Sequence, residues 1–181
     1  MIYRKLGQSD LMCSVVGLGT WGMGGDSWAG SGAVDDDLSV ETLRAGIDAG
    51  INLIDTAPAY GFGHSEVVVG KALKEIGRER VILSTKCGIW WKSPRGSYFN
   101  TRSGIDNYKC LEPETIRIEI EDSLKRLQTD YIDIYHTHWQ SVPPHFTPVE
   151  ETMQALLELK KEGKIRAIAV SNADVPCMEE Y

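Results

Sequence analysis

The chain has 181 residues, of which 42% are hydrophobic and 25% are charged, and its formal net charge is -7 at pH 7. This size and composition allow one globular domain with its own hydrophobic core, and we expect residues 1–181 to form a single domain. Acidic and basic residues are interspersed without a basic stripe, and no apolar run approaches the roughly 20 residues that cross a bilayer, so neither nucleic acid nor a membrane is an expected partner.

Strand-like and helix-like patterns alternate along the chain. Each predicted helix carries apolar residues at helical spacing, and several begin or end at typical cap residues. The predicted strands are Cys13–Trp21, Ile51–Ala57, Arg80–Gly88, Tyr131–Trp139 and Ile165–Asn172. The predicted helices are Asp37–Gly50, His64–Gly77, Glu112–Gln128 and Thr147–Lys164, with a further helix starting near Asp174. Five strands interleaved with helices predict an α/β protein with a parallel sheet or barrel.

The segment from Gly88 to Leu111 lies between the third strand and the third helix and shows no periodic pattern. Long loops in compact domains are usually functional or disordered. We interpret this segment as a pocket wall or lid, because it is rich in aromatic and basic residues.

Polar residues stand at the carboxyl end of every predicted strand. In a parallel sheet or barrel these ends meet at one edge, where ligands bind. The strand-end residues are Gly19, Thr20 and Trp21, then Asp55, then Thr85 and Lys86, then His138 and Trp139, then Ser171 and Asn172. The sequence therefore predicts a site at this edge that contains an acid, an amine and an imidazole.

The stretch GLGTWG, Gly17–Gly22, formally matches the dinucleotide-binding pattern G-x-G-x-x-G. That pattern requires a helix to begin within it. More glycines follow here instead, so we favour a glycine-rich turn that leaves a barrel strand.

Four cysteines are scattered without a C-x-x-C pair, which indicates neither a disulfide framework nor a zinc site. His136 and His138 point to the same face of their strand, but no third ligand has suitable spacing, so we expect no metal.

The N-terminal residues MIYRKLGQSD lack the apolar core of a signal peptide. A reducing cytoplasm is the expected compartment.

Four segments together resemble the aldo-keto reductase family. DTAPAYGFGHSEVVVG is similar to the family segment D-T-A-x-x-Y-G-x-G-x-S-E-x-x-x-G, and STKCG resembles its lysine strand. SLKRLQTDYIDIYHTHW resembles the helix and strand that carry the family histidine. ALLELKKEGKIRAIAVSN resembles the segment that leads to the Ser-Asn pair of the family. The segments follow one another in family order, and the chain looks most like bacterial general aldo-keto reductases.

The resemblance implies a TIM-type (β/α)8 barrel that reduces an aldehyde or ketone, possibly a sugar, to an alcohol by hydride transfer from NADPH. It makes Tyr60 the general acid, a role that a phenol can perform. Lys86 would favour the phenolate form, because a neighbouring ammonium stabilises it. Asp55 would hold Lys86 in place and keep it charged, and His138 would orient the substrate carbonyl.

The resemblance also implies cofactor and substrate contacts. Ser171 and Asn172 match the positions that hold the nicotinamide carboxamide, and the other expected cofactor contacts are Gly19, Thr20, Trp21 and Asp55. The expected substrate contacts are Trp21, Trp90, Trp91 and Trp139, with Trp28 at the same mouth. The sequence departs from the family at Gln140, where proline often follows, and at Ala173, where an aromatic is common.

About five of the eight β/α units of such a barrel are present. We expect open sheet edges at the first and fifth strands, self-association through those edges, and weak or no cofactor binding by these 181 residues alone. Two alternatives remain open at this point: a non-catalytic NADPH-binding regulatory subunit on the same fold, and an aldolase that forms a Schiff base at Lys86.

Overall fold

A computed structural model describes residues 1–25 and 34–181 of the chain. The strands in this part are β1 (Tyr3–Lys5), β2 (Met12–Ser14), β3 (Gly17–Gly19), β4 (Leu53–Asp55), β5 (Ile82–Cys87), β6 (Ile89–Trp90), β7 (Ser97–Arg102), β8 (Ile105–Lys109), β9 (Ile132–Thr137) and β10 (Ile165–Val170). The helices are α1 (Asp36–Asp48), α2 (His64–Ile76), α3 (Pro113–Leu127), α4 (Val149–Lys161) and α5 (Val175–Glu180). Short 3₁₀ helices cover Trp21–Gly24 and Arg78–Arg80.

Local chemistry explains where the helices begin. The Asp35 carboxylate accepts the Leu38 backbone N–H and so caps α1, as the Asp174 carboxylate caps α5 by accepting the Cys177 N–H. Pro113 occupies the first turn of α3, where its missing N–H costs nothing. Every helix in residues 1–25 and 34–181 is too short or too polar to cross a membrane.

The central sheet has five parallel strands in the order β10-β9-β5-β4-β3. Helices connect successive strands, as right-handed β/α units require. The predicted α/β class and TIM-barrel type are confirmed, with part of the barrel present in this chain.

The main hydrophobic core lies between the outer face of this sheet and helices α1 to α4. Leu43 of α1, Ile120 of α3 and Leu156 of α4 have no exposed surface and join one cluster with Leu83 of β5. A smaller cluster lies on the inner face, where Leu11 and Cys13 of the N-terminal hairpin pack near Ile134 and Ala167. The helices thus cover the outer face, and the hairpin covers part of the inner face.

Strand alternation sorts side chains onto the two faces of the sheet. On β5, the Ser84 hydroxyl and the Lys86 ammonium both reach Asp55 on the inner face. The Thr85 hydroxyl instead donates to Glu66 of α2 at 2.6 Å, on the outer face. Because successive residues alternate, Ser84 and Lys86 lie on the inner face with Asp55, whereas Thr85 packs against α2 on the outer face.

Residues 89–109 form a three-stranded antiparallel sheet in the order β6-β8-β7, so the interpretation of this segment as a patternless loop was wrong. The tight turn between β7 and β8 is made by Ser103 (φ 49°) and Gly104 (φ 76°). Two consecutive residues with positive φ are typical of the type I′ hairpin turn, which favours glycine at the second position. The Ser-Gly pair between alternating residues was the available sequence signal.

The first predicted strand, Cys13–Trp21, is divided in the structure. Met12–Ser14 pairs with β1 in an antiparallel hairpin, whereas Gly17–Gly19 pairs with β4 in the parallel sheet. The Asn52 side chain joins β2 to the chain just before β4, because its carbonyl oxygen accepts the Ser14 N–H at 2.7 Å and its amide donates to the Met12 carbonyl. A change of pairing partner therefore ends the first strand before the second begins.

One buried carboxyl lies between the sheet and α3. Glu119 is 4% exposed, and its Oε2 accepts the Gly88 N–H at 3.0 Å. Its Oε1 has no hydrogen-bond partner among the described residues. Burial, with a smaller effect of Glu66, raises the pKa of Glu119 to about 8. The carboxyl is therefore mostly protonated at neutral pH.

We predict that Glu119 makes the protein less stable as the pH rises. The unfolded chain releases this proton near pH 4.3, whereas the folded state keeps it up to about pH 8. The free energy of unfolding should fall across that window, and Glu119→Gln should remove a fall of the order of a few kcal/mol. Urea unfolding of wild type and Glu119→Gln at pH 5 and pH 8 measures this fall in the free energy of unfolding. Glu121→Gln, on the same helix with an exposed side chain, is the control; equal pH slopes in wild type and Glu119→Gln would contradict the prediction.

Candidate active site

The centre of the candidate site is an ion pair between neighbouring parallel strands. The Lys86 ammonium of β5 donates to both carboxylate oxygens of Asp55 in β4, at 2.9 and 2.8 Å, and to the Thr56 carbonyl at 2.7 Å. The register aligns Asp55 with Ser84, so Lys86, two residues further on, lies on the same face. The Ser84 hydroxyl also donates to Asp55 at 2.8 Å.

The pair has an unequal environment. The Lys86 side chain is 7% exposed, whereas the Asp55 side chain is 39% exposed. A buried ammonium requires compensating acceptors, and Lys86 has three of them. The three acceptors compensate the burial of the ammonium and fix its direction.

Tyr60 lies beside this pair, in the connection from β4 to α2. The Lys86 ammonium is 5.0 Å from the centroid of its ring. The His138 ring approaches Tyr60 edge-on, with the centroids 5.8 Å apart and an interplanar angle of 84°. The phenol, the ammonium and the imidazole therefore surround one small region at the carboxyl ends of β4, β5 and β9.

Two glycines allow the Tyr60 turn to form. Gly61 has φ +67°, and a Cβ added there would lie 1.8 Å from the Gly24 carbonyl oxygen. A Cβ added at Gly24 would lie 2.6 Å from the Tyr60 carbonyl carbon. The backbone after β3 thus packs directly on the backbone that carries Tyr60, and only glycine fits at both positions. Gly61 is the glycine that follows the tyrosine in the family segment D-T-A-x-x-Y-G, and Gly24 lies in a glycine-rich stretch, but the close approach of their backbones was not predicted.

His138 is a neutral imidazole in this environment. It is 8% exposed, and burial followed by the charge of Lys86 lowers its pKa to about 3. A neutral imidazole offers one N–H donor and one acceptor nitrogen. His138 can therefore hydrogen-bond a carbonyl oxygen near neutral pH, but it has no extra proton to release there.

His136 lies on the same strand, two residues before His138. It pairs with Lys86 in register, and burial lowers its pKa. Its Nδ1 is buried without a hydrogen-bond partner among the described residues. Within residues 1–25 and 34–181, no group of three or more His, Cys, Asp or Glu side chains is arranged to hold a metal ion.

Ser171 and Asn172 follow β10 and lie next to the histidine. The Asn172 side-chain amide donates to the His138 carbonyl at 2.7 Å and to the Ser171 hydroxyl at 3.1 Å. Gln140 holds the same turn, because its amide donates to the Ser171 carbonyl at 3.0 Å. The side-chain oxygens of Ser171 and Asn172 can accept N–H groups, which is the chemistry that a nicotinamide carboxamide requires.

The predicted cofactor contacts after β3 have different environments. Thr20 is fully buried, and its hydroxyl donates to the Asp55 carbonyl at 3.1 Å and receives the Ser65 hydroxyl at 2.7 Å. The Thr20 side chain thus connects the ends of β3 and β4. Gly19 has open space around its Cα, and Trp21 is 54% exposed. Asp55 lies in the ion pair described above.

The predicted tryptophans do not form one group. Trp90 is 5% exposed, and its indole N–H donates to Ser93 at 3.0 Å in a small crevice beside Glu119 of α3. Trp91 packs edge-on against Phe62, with ring centroids 5.6 Å apart. Trp139 directly follows His138 and is the one nearest to it in the chain, whereas Trp28 lies outside the described residues.

Comparisons with known proteins agree with this architecture. The sequence model of the aldo/keto reductase family matches residues 15–181. The chain is 53% identical over 176 residues to the NADH-specific methylglyoxal reductase of Escherichia coli (strain K12), covering 97% of this chain and 53% of that protein. The structure is similar to the glycerol dehydrogenase AKR11B4 of Gluconobacter oxydans, with a TM-score of 0.81 and 39% identity, over 98% of this chain and 50% of that one.

A third relative was solved with ligands. The aldo/keto reductase of Klebsiella pneumoniae in complex with NADP and acetate has a TM-score of 0.72 and 36% identity, over 93% of this chain and 49% of that one. The chain belongs to the aldo/keto reductase family, as its motifs predicted. It spans about half the length of the relatives it matches.

We predict that Gly61→Ala destabilises the Tyr60 turn. The added methyl group must displace the Gly24 carbonyl, and the alanine must also adopt the positive φ of Gly61. Gly163→Ala is the matched control, because Gly163 has φ +77° but nothing within 4 Å of its Cβ position. Gly61→Ala should lose at least about 2 kcal/mol more unfolding free energy than Gly163→Ala, measured in urea. Equal losses would show that the close approach at Gly24 does not constrain this turn.

Proposed function

We propose that the protein containing this chain reduces an aldehyde or ketone to an alcohol, with a reduced nicotinamide dinucleotide as hydride donor. The observation that carries this proposal is the convergence of Lys86, Tyr60 and His138 on one region at the carboxyl ends of three parallel strands. Membership of the aldo/keto reductase family and the names of the relatives support it.

The geometry supports one route for the proton. A neutral His138 donates an N–H to the substrate carbonyl and so orients it between the imidazole and Tyr60. The Tyr60 hydroxyl then gives its proton to the carbonyl oxygen, and the positive charge of Lys86 stabilises the phenolate that remains. Ser171 and Asn172 would hold a reduced nicotinamide, which would supply the hydride for the carbonyl carbon. Asp55 is a positioning residue, since its carboxylate accepts hydrogen bonds from Lys86 and so directs the ammonium.

The cofactor residues are proposed from the same edge. Ser171 and Asn172 would bind the nicotinamide carboxamide, with Gly19, Trp21 and Asp55 near the ring. NADPH, implied by the sequence motifs, is supported by the Klebsiella structure with NADP. The name of the Escherichia coli relative specifies NADH. The ratio of kcat/KM for the two dinucleotides distinguishes these assignments.

The substrate is proposed to be a small carbonyl compound. The names of two relatives refer to methylglyoxal and glycerol, which are short, oxygen-rich molecules. A sugar aldehyde, expected from the sequence, belongs to the same chemical class. All four cysteines are free thiols, which supports a reducing compartment such as the cytoplasm.

The alternatives have less support. A Schiff-base aldolase requires a neutral, nucleophilic lysine, whereas Lys86 donates to two Asp55 oxygens and to the Thr56 carbonyl. A regulatory subunit that only binds NADPH does not need the proton donor, the ammonium and the imidazole together. No observation on the described residues favours either alternative.

We predict that Tyr60→Phe abolishes carbonyl reduction while the cofactor still binds. Loss of a general acid typically lowers the rate by about 10²- to 10⁴-fold. The measurements are steady-state kcat with an aldehyde and cofactor affinity by fluorescence titration. Tyr98→Phe, at a tyrosine that is 61% exposed, should leave both unchanged. Activity of Tyr60→Phe within threefold of wild type would remove Tyr60 from the mechanism.

We also propose that the isolated 181-residue chain associates with itself and binds the cofactor weakly. In the described sheet, β3 and β10 each have one neighbouring strand, so each presents an open edge. The hairpin residues Met1, Ile2 and Met12 add exposed apolar surface. Light scattering after size exclusion should show species larger than 20.1 kDa. A monomer, or nanomolar dinucleotide binding in a fluorescence titration, would contradict this proposal.

A further inference from the structure

A lysine of the antiparallel sheet lies between two aromatic rings near the candidate site. The Lys109 ammonium, on β8, is 4.4 Å from the ring centroid of Trp139 and 4.8 Å from that of Phe99. The two rings are themselves 5.3 Å apart. Cation–π contacts of this kind hold an ammonium in place without neutralising its charge.

The position of the sheet brings this lysine to the carboxyl edge of the barrel. Lys109 pairs with Ser97 of β7. The Ser97 hydroxyl donates to the Val142 carbonyl at 2.5 Å and accepts the His145 N–H at 3.0 Å. The sheet is therefore attached to the segment that follows β9. That segment begins with His138 and Trp139, so the ammonium contacts the ring of the residue that follows the imidazole proposed to bind the carbonyl.

The Lys109 ammonium has no ion-pair partner. Within residues 1–25 and 34–181, no carboxylate lies within 4.0 Å of it. The side chain is half-buried, and desolvation alone lowers its pKa. Lys92 provides a contrast: its ammonium lies 5.8 Å from the Trp90 ring but forms an ion pair with Asp122. An ammonium held on aromatic faces keeps N–H donors available for another acceptor.

We propose that Lys109 is a specificity residue that binds a carboxylate carried by the carbonyl substrate. The inference rests on the proposed reductase function and adds the substrate class to it: a short oxo acid, with its carboxylate a few carbon atoms from the carbonyl. The single positive charge of one ammonium balances the single negative charge of a carboxylate, whereas a phosphate dianion would keep a second negative charge that Lys109 does not balance. A short substrate is proposed because Lys109 contacts the side chain of Trp139, the residue directly after His138.

The test compares two substrates that differ in charge. 4-Oxobutanoate and its methyl ester have the same aldehyde and nearly the same length, but only the first carries a carboxylate. In the full protein that contains this chain, wild type should have a kcat/KM for 4-oxobutanoate about tenfold to a hundredfold above that for the ester. Lys109→Met should remove this preference through KM for the acid and leave the ester within about twofold.

Two further variants complete the test. Lys109→Arg keeps the positive charge and should retain most of the preference for the acid. Lys92→Met removes a lysine that also lies over a tryptophan but is already paired with Asp122. It should leave kcat/KM unchanged for both the acid and the ester. Equal kcat/KM for acid and ester in wild type, or equal losses for both in Lys109→Met, would overturn the proposal while the reductase function stands.

A binding measurement separates the inference from the proposed function. 4-Hydroxybutanoate carries the carboxylate but has no aldehyde to reduce, and its binding can be followed by isothermal titration calorimetry. If wild type binds it, Lys109→Met does not, and neither aldehyde is reduced, then the carboxylate site is correct and the reductase function is wrong. If wild type and Lys109→Met bind it equally, the carboxylate site is wrong whatever the activity.

Discussion

The ion pair between Asp55 and Lys86 is the interaction on which the site depends. It joins two neighbouring parallel strands across the inner face of the sheet, and it places a fixed positive charge 5.0 Å from the Tyr60 ring. Burial, the larger cause, and the Lys86 charge, the second cause, lower the pKa of His138, and the imidazole is therefore neutral. One pair of side chains therefore places a positive charge beside both groups proposed to contact the carbonyl oxygen.

The two faces of the sheet separate chemistry from support. The inner face carries the ion pair and the histidine, and it opens at the carboxyl ends of the strands. The outer face is closed by helices and contains buried polar groups, such as Glu66, which accepts the Thr85 hydroxyl and pairs with Arg126 at 2.6 Å. Because Thr85 and Lys86 are consecutive, packing on one face positions the functional side chain on the other. Stability and function are thus coupled through single strands.

The segment between β5 and α3 connects the reaction centre to substrate choice. It folds into its own antiparallel sheet and attaches to the chain after β9 through Ser97. It thereby brings Lys109 to Trp139, beside the residue proposed to orient the carbonyl. The residues at the strand ends would carry out the reaction, and Lys109 on this sheet would select substrates that carry a carboxylate. This division is expected for a scaffold that hosts functional loops.

The sequence by itself determined the order of strands and helices, the family, and the identity of Asp55, Tyr60, Lys86 and His138 as site candidates. These depend on local patterns, since strand alternation and residue type can be read directly from the chain. Only the tertiary structure decided which backbones touch, as at Gly24 and Gly61, and that Trp91 packs against Phe62. It also decided that residues 89–109 form a sheet and that Lys109 lies against Trp139. Such contacts join residues far apart in the chain, so no local pattern contains them, and they follow only from how the packed elements meet.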